Sequence, residues 1–260
     1  MNSKLRITNY ELRIGWLYPE LMSTYGDYGN IIVLQRRCEW RGINVDVVHL
    51  SLSKWEKDID LLFMGGAQDK EQEIVSEDLV QSSKLKVKSL TKMIEDGIPG
   101  LYICGAYQFL GQYYKAADET TIPGLGIFDM YTVNPGKHEK RLIGDIIVDV
   151  SNSTFSEFGY TQLVGFENHG GRTYLGKSAT PFAHVVKGFG NNGEDGTEGI
   201  LYKNSIGSYL HGPLLPKNPE IADWFIAKAL EHKYNDEITL QALDDSWEQQ
   251  AKKAVLSTYE

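Results

Sequence analysis

One cysteine and two histidines, Cys104, His169 and His211, are the side chains in this sequence best suited to covalent chemistry. Cys104 follows a short apolar run and precedes Gly105, which predicts a turn from a strand to a helix. Such a turn presents the thiol at the end of the sheet, and the dipole of the helix favours the thiolate. The same pattern fits a buried structural cysteine, because free cysteine often packs as a small hydrophobic residue.

A nucleophilic thiol needs a base. His211 ends the apolar segment 205–210 and is followed by Gly212 and Pro213, which predicts a position at a strand end. His169 lies in a polar, glycine-rich turn over residues 165–171 that is typical of a ligand-binding loop. The pattern favours His211 over His169 as the base. The remaining histidines are predicted to lie at the surface or to be structural: His49, His138, His184 and His232.

The elements that would position these side chains alternate between strand and helix. Predicted strands cover residues 12–18, 43–50, 59–64 and 100–104, and predicted helices cover residues 31–41 and 85–95. This alternation indicates an α/β fold with a mostly parallel central sheet. Ligands bind such sheets beyond the carboxyl ends of the strands, where Gly65, Gly66 and Cys104 are predicted to lie.

The second half of the chain has a different sequence pattern. Beyond about residue 124, strand patterns punctuated by glycine cover residues 141–150, 161–166, 183–187 and 199–202, and a predicted helix follows over 218–233. No proline- or serine-rich linker divides the halves. We therefore predict one α/β domain over residues 11–235 with a β-rich second half, an uninformative N-terminal leader over 1–10, and a polar C-terminal tail over 236–260 with helical potential.

Composition and charge argue against several classes of protein. A net charge of −9 without a basic patch argues against nucleic-acid binding. No apolar run approaches the roughly 20 residues needed to span a bilayer, and the N-terminus lacks the apolar core of a signal peptide, which predicts a cytoplasmic protein with no membrane insertion. Cys38 and Cys104 have no neighbours at metal-ligand spacing, so no metal site is expected, and Cys38 is predicted to lie in the core.

Three motifs carry a resemblance to a known family. Residues 65–69 (GGAQD), 104–111 (CGAYQFLG) and 209–213 (YLHGP) resemble the signatures of class I, triad-type glutamine amidotransferases in the cobyric acid synthase branch, which have a flavodoxin-like fold. Within that branch, residues 17–30, 141–145, 165–173 and 207–213 resemble the glutaminase subunits of synthases that amidate lipid II.

The resemblance implies a role for each site residue. Cys104 would attack the side-chain amide of L-glutamine, backbone N–H groups of Gly66 and Gly105 would stabilise the oxyanion, and His211 would act as the base. Gly65, Gln108 and Arg141 would bind the substrate. Without the resemblance, Gln108 and Arg141 would be interpreted as solvated polar residues.

Two features depart from the family pattern. Pro213 stands where triad enzymes carry a glutamate two residues after the histidine, so the acid that orients His211 is left open. In the family's G-x-C-x-G elbow, the tight turn around the cysteine, Tyr102 and Ala106 replace the outer glycines. The small Ala106 is easily tolerated, whereas Tyr102 predicts a more open turn around Cys104.

The partners also follow from the resemblance. Because the sequence has no P-loop motif, no cofactor is expected in this subunit, and ATP and magnesium are expected in a MurT-like Mur ligase subunit that forms a heterodimer with it. That partner would place the chain near the inner face of the membrane. Two alternatives remain: a glutaminase subunit of a different synthetase, and a non-catalytic module that senses glutamine.

Overall fold

A computed structural model describes residues 9–82, 84–136, 138–151 and 161–259. The strands are β1 Glu11–Leu17, β2 Asn44–Leu50, β3 Leu61–Met64, β4 Gly100–Ile103, β5 Tyr113–Lys115, β6 Thr121–Pro123, β7 Met130–Val133, β8 Leu142–Asp149, β9 Gln162–His169, β10 Arg172–Leu175, β11 Ala183–Lys187, β12 Thr197–Glu198, β13 Ile200–Tyr202 and β14 Ser205–Ser208. The helices are α1 Tyr28–Glu39, α2 Asp69–Ser76, α3 Lys84–Glu95, α4 Gly105–Leu110, α5 Pro219–Tyr234 and α6 Ser246–Ser257.

A six-stranded sheet in the order β13-β14-β4-β3-β1-β2 forms the centre of the molecule. Neighbouring strands from β14 to β2 pair in parallel, and only β13 pairs antiparallel, at the edge. Strands β3 and β4 are buried along their whole length, as expected for parallel strands covered on both faces. Cys104 comes directly after β4, and His211 follows β14, so both side chains lie at the carboxyl edge of neighbouring strands.

Two four-stranded sheets account for the β-rich second half. One has the order β10-β7-β5-β6, and the other, β12-β11-β8-β9, is antiparallel throughout. A bridge between Phe166 and His211 joins β9 to the loop after β14. This bridge holds the β12-β11-β8-β9 sheet against the central sheet. The predicted α/β class, with a mostly parallel central sheet and a β-rich second half, is confirmed.

Helix α1 begins three residues earlier than the predicted start at Ile31. A short 3₁₀ turn, Thr24–Gly26, leads into it, and Asp27 already has helical backbone angles. The glycine-containing turn therefore leads directly into α1 and does not form a separate loop between β1 and the helix. The sequence pattern missed α2, which spans only eight residues and is largely polar.

The C-terminal segment is tied to the rest of the molecule by charges. The guanidinium of Arg37 on α1, almost fully buried, donates to Asp223 on α5 at 2.6 Å and to Asp245 at 2.6 Å. Lys252 on α6 is buried and pairs with Glu220. Residues 1–8 of the predicted leader lie outside the described residues, whereas Tyr10 packs edge-on against Tyr234 at 5.2 Å.

Candidate active site

Cys104 occupies a strained turn between β4 and α4. Its backbone angles, φ 51° and ψ −104°, are rarely adopted by a residue with a side chain, and such strain concentrates at functional sites. Two hydrogen bonds hold the turn: the Cys104 N–H donates to the Ser208 carbonyl at 2.8 Å, and the Gln108 N–H donates to the Cys104 carbonyl at 2.9 Å. The thiol is thus presented at the N-terminus of α4, as the sequence predicts.

The residues around the elbow are sterically matched. A Cβ atom on Gly105 would lie 2.8 Å from the backbone nitrogen of Ala67, so glycine is required there. Tyr102 is fully buried, and its ring lies over Gly100, where a Cβ atom would approach the phenol oxygen to 2.5 Å. The missing side chain of Gly100 therefore provides the space for the Tyr102 ring, whereas the sequence predicts that a more open turn would provide it.

His211 makes a buried pair with Asp27. The two atoms His211 Nδ1 and Asp27 Oδ1 are 3.1 Å apart, and both side chains are 0% exposed. A carboxylate at Nδ1 fixes the tautomer and leaves Nε2 as the atom that exchanges protons. Burial alone would lower the pKa of His211, but its interactions with Cys104 and Asp27 outweigh burial and raise the pKa. An imidazolium beside a thiolate is the charge arrangement of an activated cysteine.

Asp27 also accepts a second hydrogen bond. The Gly66 N–H donates to Asp27 Oδ2 at 2.7 Å. A Cβ atom on Gly65 would lie 2.6 Å from the Met22 carbonyl, and one on Gly66 would lie 3.0 Å from His211 Cε1. Both glycines therefore allow the loop after β3 to pack closely on the Asp27–His211 pair.

Gly66 accordingly departs from its expected role. Its N–H, which the resemblance assigns to the oxyanion hole, is directed at Asp27 in this structure. The next backbone N–H along the chain, that of Ala67, lies beside Gly105. Within the described ranges, neither the Ala67 nor the Gly105 N–H donates to another protein group, so both are free for a bound oxyanion.

Cys104 opens into a cavity of about 500 Å³, which Gln108 and Arg141 also line. Gln108 is buried, its Oε1 accepts from Gln72 Nε2 at 3.2 Å, and its Nε2 donates to the Tyr209 hydroxyl at 3.0 Å. Arg141 is exposed at the cavity mouth and donates to the side chain and carbonyl of Asn168 at 2.9 and 2.8 Å. The structure thus brings Cys104, Gln108 and Arg141 to one cavity.

His169 lines this cavity as well but has different surroundings. Its Nδ1–H donates to the Gly171 carbonyl at 2.8 Å, and its ring stacks on that of Tyr209 at 3.6 Å. Burial lowers the pKa of His169 and keeps the ring neutral. The geometry therefore favours His211 as the base, because only His211 has a carboxylate at Nδ1 and a thiol at its other side.

Three further observations concern Cys38, metal-ligand groups and membrane-spanning helices. Cys38 is 0% exposed in the core, where burial raises its pKa to about 12. Among the residues that the structure describes, no group of three or more histidine, cysteine or acidic side chains is arranged to hold a metal ion. No helix in the described part of the chain is long and apolar enough to cross a bilayer.

Comparison with known proteins agrees with this geometry. Residues 13–219 match the family described as the CobB/CobQ-like glutamine amidotransferase domain. The chain belongs to this family. Its curated relatives include the lipid II isoglutaminyl synthase (glutamine-hydrolyzing) subunit GatD of Staphylococcus aureus, 43% identical over 95% of this chain and 96% of the relative, and that of Streptococcus pneumoniae, 43% identical over 91% and 87%.

Solved structures of similar fold extend the comparison. PurLQS from Thermotoga maritima superposes with a TM-score of 0.56 at 16% identity, covering 86% of this chain and 99% of that one. A glutamine amidotransferase from the same organism gives 0.53 at 17% identity, covering 95% and 94%. These likenesses confirm the class I glutamine amidotransferase fold predicted from the sequence.

Asp27 is the site residue of this amidotransferase that the sequence analysis did not identify. It lies in the turn-rich segment between β1 and α1, 184 residues before its partner His211. The sequence signal is the motif over residues 17–30, which matches the family without assigning a role to any one residue. The acid left open by Pro213 therefore comes from the opposite end of the chain.

Proposed function

We propose that this chain is the glutaminase subunit of a lipid II isoglutaminyl synthase. In this proposal it hydrolyses L-glutamine to glutamate and ammonia and passes the ammonia to a Mur-ligase-like partner, which amidates the D-glutamate of lipid II. The observation that carries the proposal is the contact of Asp27 with His211 beside Cys104, within a family of glutamine amidotransferases. A buried acid, base and thiol have the geometry of a cysteine triad.

The first half-reaction uses the thiolate and the imidazolium. Cys104 Sγ attacks the side-chain amide carbon of glutamine, and the carbonyl oxygen becomes an oxyanion held by the N–H groups of Gly105 and Ala67. His211 Nε2 donates its proton to the leaving nitrogen as the C–N bond breaks, releasing ammonia. Asp27 stays ionised and keeps the Nδ1–H in place.

The second half-reaction regenerates the enzyme. His211, now neutral, takes a proton from water, and the resulting hydroxide attacks the glutamyl thioester on Cys104. The tetrahedral intermediate expels the Cys104 thiolate, and the new γ-carboxyl group releases its proton to solvent to give glutamate, while His211 is again an imidazolium. Each oxyanion donor is worth about 3 kcal/mol of barrier in comparable sites. Gln108 and Arg141 would hold the substrate, with the guanidinium on its α-carboxylate.

The coverage of the relatives favours this synthase over another. The chain covers nearly all of the GatD relative from Staphylococcus aureus, but only 23% of the cobyric acid synthase of Pelotomaculum thermopropionicum, at 32% identity. A chain that matches a whole glutaminase subunit is better explained as such a subunit than as part of a corrin-amidating enzyme. The ATP and magnesium needed to activate the carboxylate would bind the partner, which would also bring this chain to the inner face of the membrane.

The decisive test traces the side-chain amide nitrogen of L-glutamine. Purified chain, alone and mixed with a Mur-ligase-like subunit, is supplied with L-glutamine labelled with ¹⁵N at the side-chain amide, together with ATP, magnesium and lipid II. We expect glutamate release and transfer of the label to lipid II, both lost in Cys104→Ser. Release without transfer would point to another synthetase. Absence of release in both preparations would contradict the proposal and favour a glutamine-sensing module.

A further inference from the structure

The first turn of α2 places a carboxylate on the wall of the active-site cavity. Asp69 is exposed and lines the same cavity as Cys104 and Arg141. The mechanism above does not use it.

Tyr114 fixes the position of this carboxylate. The Tyr114 hydroxyl, on β5, donates to Asp69 Oδ1 at 3.2 Å. Burial of the ring, with a smaller contribution from the charge of Asp69, raises the pKa of Tyr114 to about 12, so the hydroxyl keeps its proton. One oxygen of Asp69 is thus occupied by Tyr114, and the other is available to a ligand in the cavity.

A short series of neighbouring residues connects Asp69 with the Arg141 guanidinium, which lines the same cavity. Asn134 Nδ2 donates to the same Tyr114 hydroxyl at 3.4 Å. Gly170 lies between Asn134 and Arg141: a Cβ atom there would be 2.9 Å from Asn134 Nδ2 and 3.4 Å from Arg141 Nη1. Among the described residues, none accepts a hydrogen bond from Arg141 Nη1.

A carboxylate and a guanidinium that line one cavity match the charges of a free amino acid. An α-amino acid carries an ammonium and a carboxylate on the same carbon, and charge-assisted hydrogen bonds to both are stronger than neutral ones. The backbone of a peptide or the chain of a simple amide lacks this pair of charges.

We propose that Asp69 binds the α-ammonium group of L-glutamine and, together with Arg141, selects the free amino acid over amides that lack this group. This inference rests on the proposed glutaminase function. Asp69 is a specificity-determining residue in this scheme, and Tyr114 positions it.

The test compares two substrates and three variants. L-glutamine and glutaramate, which lacks only the α-amino group, are compared as substrates for the wild-type chain with its Mur-ligase-like partner and for Asp69→Asn. Glu73→Gln is the matched control, because it removes a carboxylate from an exposed position of the same helix outside the cavity. Glu71→Gln tests the other acidic residue that lines the cavity.

In Asp69→Asn, we expect kcat/KM for L-glutamine to fall about 10- to 100-fold, mainly through KM, while that for glutaramate stays unchanged. Glu73→Gln should prefer L-glutamine over glutaramate by the same factor as the wild type. The inference is wrong if Asp69→Asn still prefers L-glutamine by the wild-type factor, or if only Glu71→Gln loses the preference.

Failure of the proposed function gives a different result. If the wild type releases no glutamate, the glutaminase proposal is contradicted. Calorimetric affinities for L-glutamine and glutaramate, measured on Cys104→Ser and on Cys104→Ser with Asp69→Asn, then decide the inference without turnover. Loss of the preference for L-glutamine in the double variant supports it, and an unchanged preference overturns it.

Discussion

The two buried histidines beside the cavity differ in what faces their Nδ1 atoms. His211 has the Asp27 carboxylate there and a raised pKa, whereas His169 has the Gly171 carbonyl and a lowered pKa. Both side chains are almost fully buried, so burial does not separate them. His169 also has a carboxylate nearby, with Glu167 Oε2 3.7 Å from its Nε2, but there burial outweighs the charge. The comparison teaches that a buried histidine becomes a proton carrier only when its charge partners outweigh its desolvation, as Cys104 and Asp27 do for His211.

The largest effect should come from removing the His211 ring. In His211→Asn the thiol loses its base and the leaving ammonia its acid, so we expect kcat to fall by at least about 10³-fold. Glutamate release measures turnover. Calorimetric binding of L-glutamine should stay within a few-fold of wild type, and turnover near the wild-type rate would remove the distinction between the two histidines.

Asp27→Asn should leave His211 with a neutral acceptor at Nδ1, as His169 has in the Gly171 carbonyl. Without the carboxylate charge, the pKa of His211 falls, and we expect kcat to drop about 10²- to 10⁴-fold. The active form needs the imidazolium, which is lost as pH rises through its pKa. The alkaline limb of the pH–rate profile should therefore move to lower pH. An unshifted limb would show that Asp27 does not set the charge of His211.

Glu198 contacts Ser208 and Tyr209, just before His211 in the chain, and tests the same rule with an acid. It is 0% exposed, its Oε1 accepts from Ser208 Oγ at 2.7 Å and from the Tyr209 N–H at 2.8 Å, and burial raises its pKa to about 8. Because the folded state binds this proton more tightly than the unfolded state, the stability of the wild type should decline as pH rises from about 4.5 to about 8.

Glu198→Gln keeps the acceptor oxygen and removes the titration. We expect the free energy of unfolding in urea to match that of wild type near pH 4 and to exceed it by about 5 kcal/mol above pH 8. Equal stability of the two proteins at both pH values would mean that Glu198 has an ordinary pKa.

The smallest effect on turnover should come from His169. His169→Asn can still donate to the Gly171 carbonyl but loses the stacking on Tyr209, which predicts a loss of about 1–2 kcal/mol in unfolding free energy. We expect kcat to stay within about 10-fold of wild type, because His169 exchanges no proton in the mechanism. A loss as large as that of His211→Asn would require a second base.

Much of the fold could be predicted from the sequence because its signals are local. Apolar runs such as residues 100–103 and the glycine that follows Cys104 indicate a strand and a tight turn wherever they occur. The short polar helix α2 escaped the same reasoning, because eight residues with three buried positions show too little periodicity. Asp69 ends the motif over residues 65–69, but the motif assigned it no role, because its position beside the cavity depends on the helix that the pattern missed.

The sequence by itself determined the α/β architecture, the strand end that carries Cys104 and the preference for His211, since periodicity, turn chemistry and motif spacing are properties of neighbouring residues. Only the tertiary structure decided that Asp27 orients His211, that the Gly66 N–H is directed at Asp27, and that Arg37 ties the C-terminal segment to α1. The physical reason is that hydrogen bonds and charge pairs act over a few ångströms of space, and these join residues 39 to 208 positions apart in the chain.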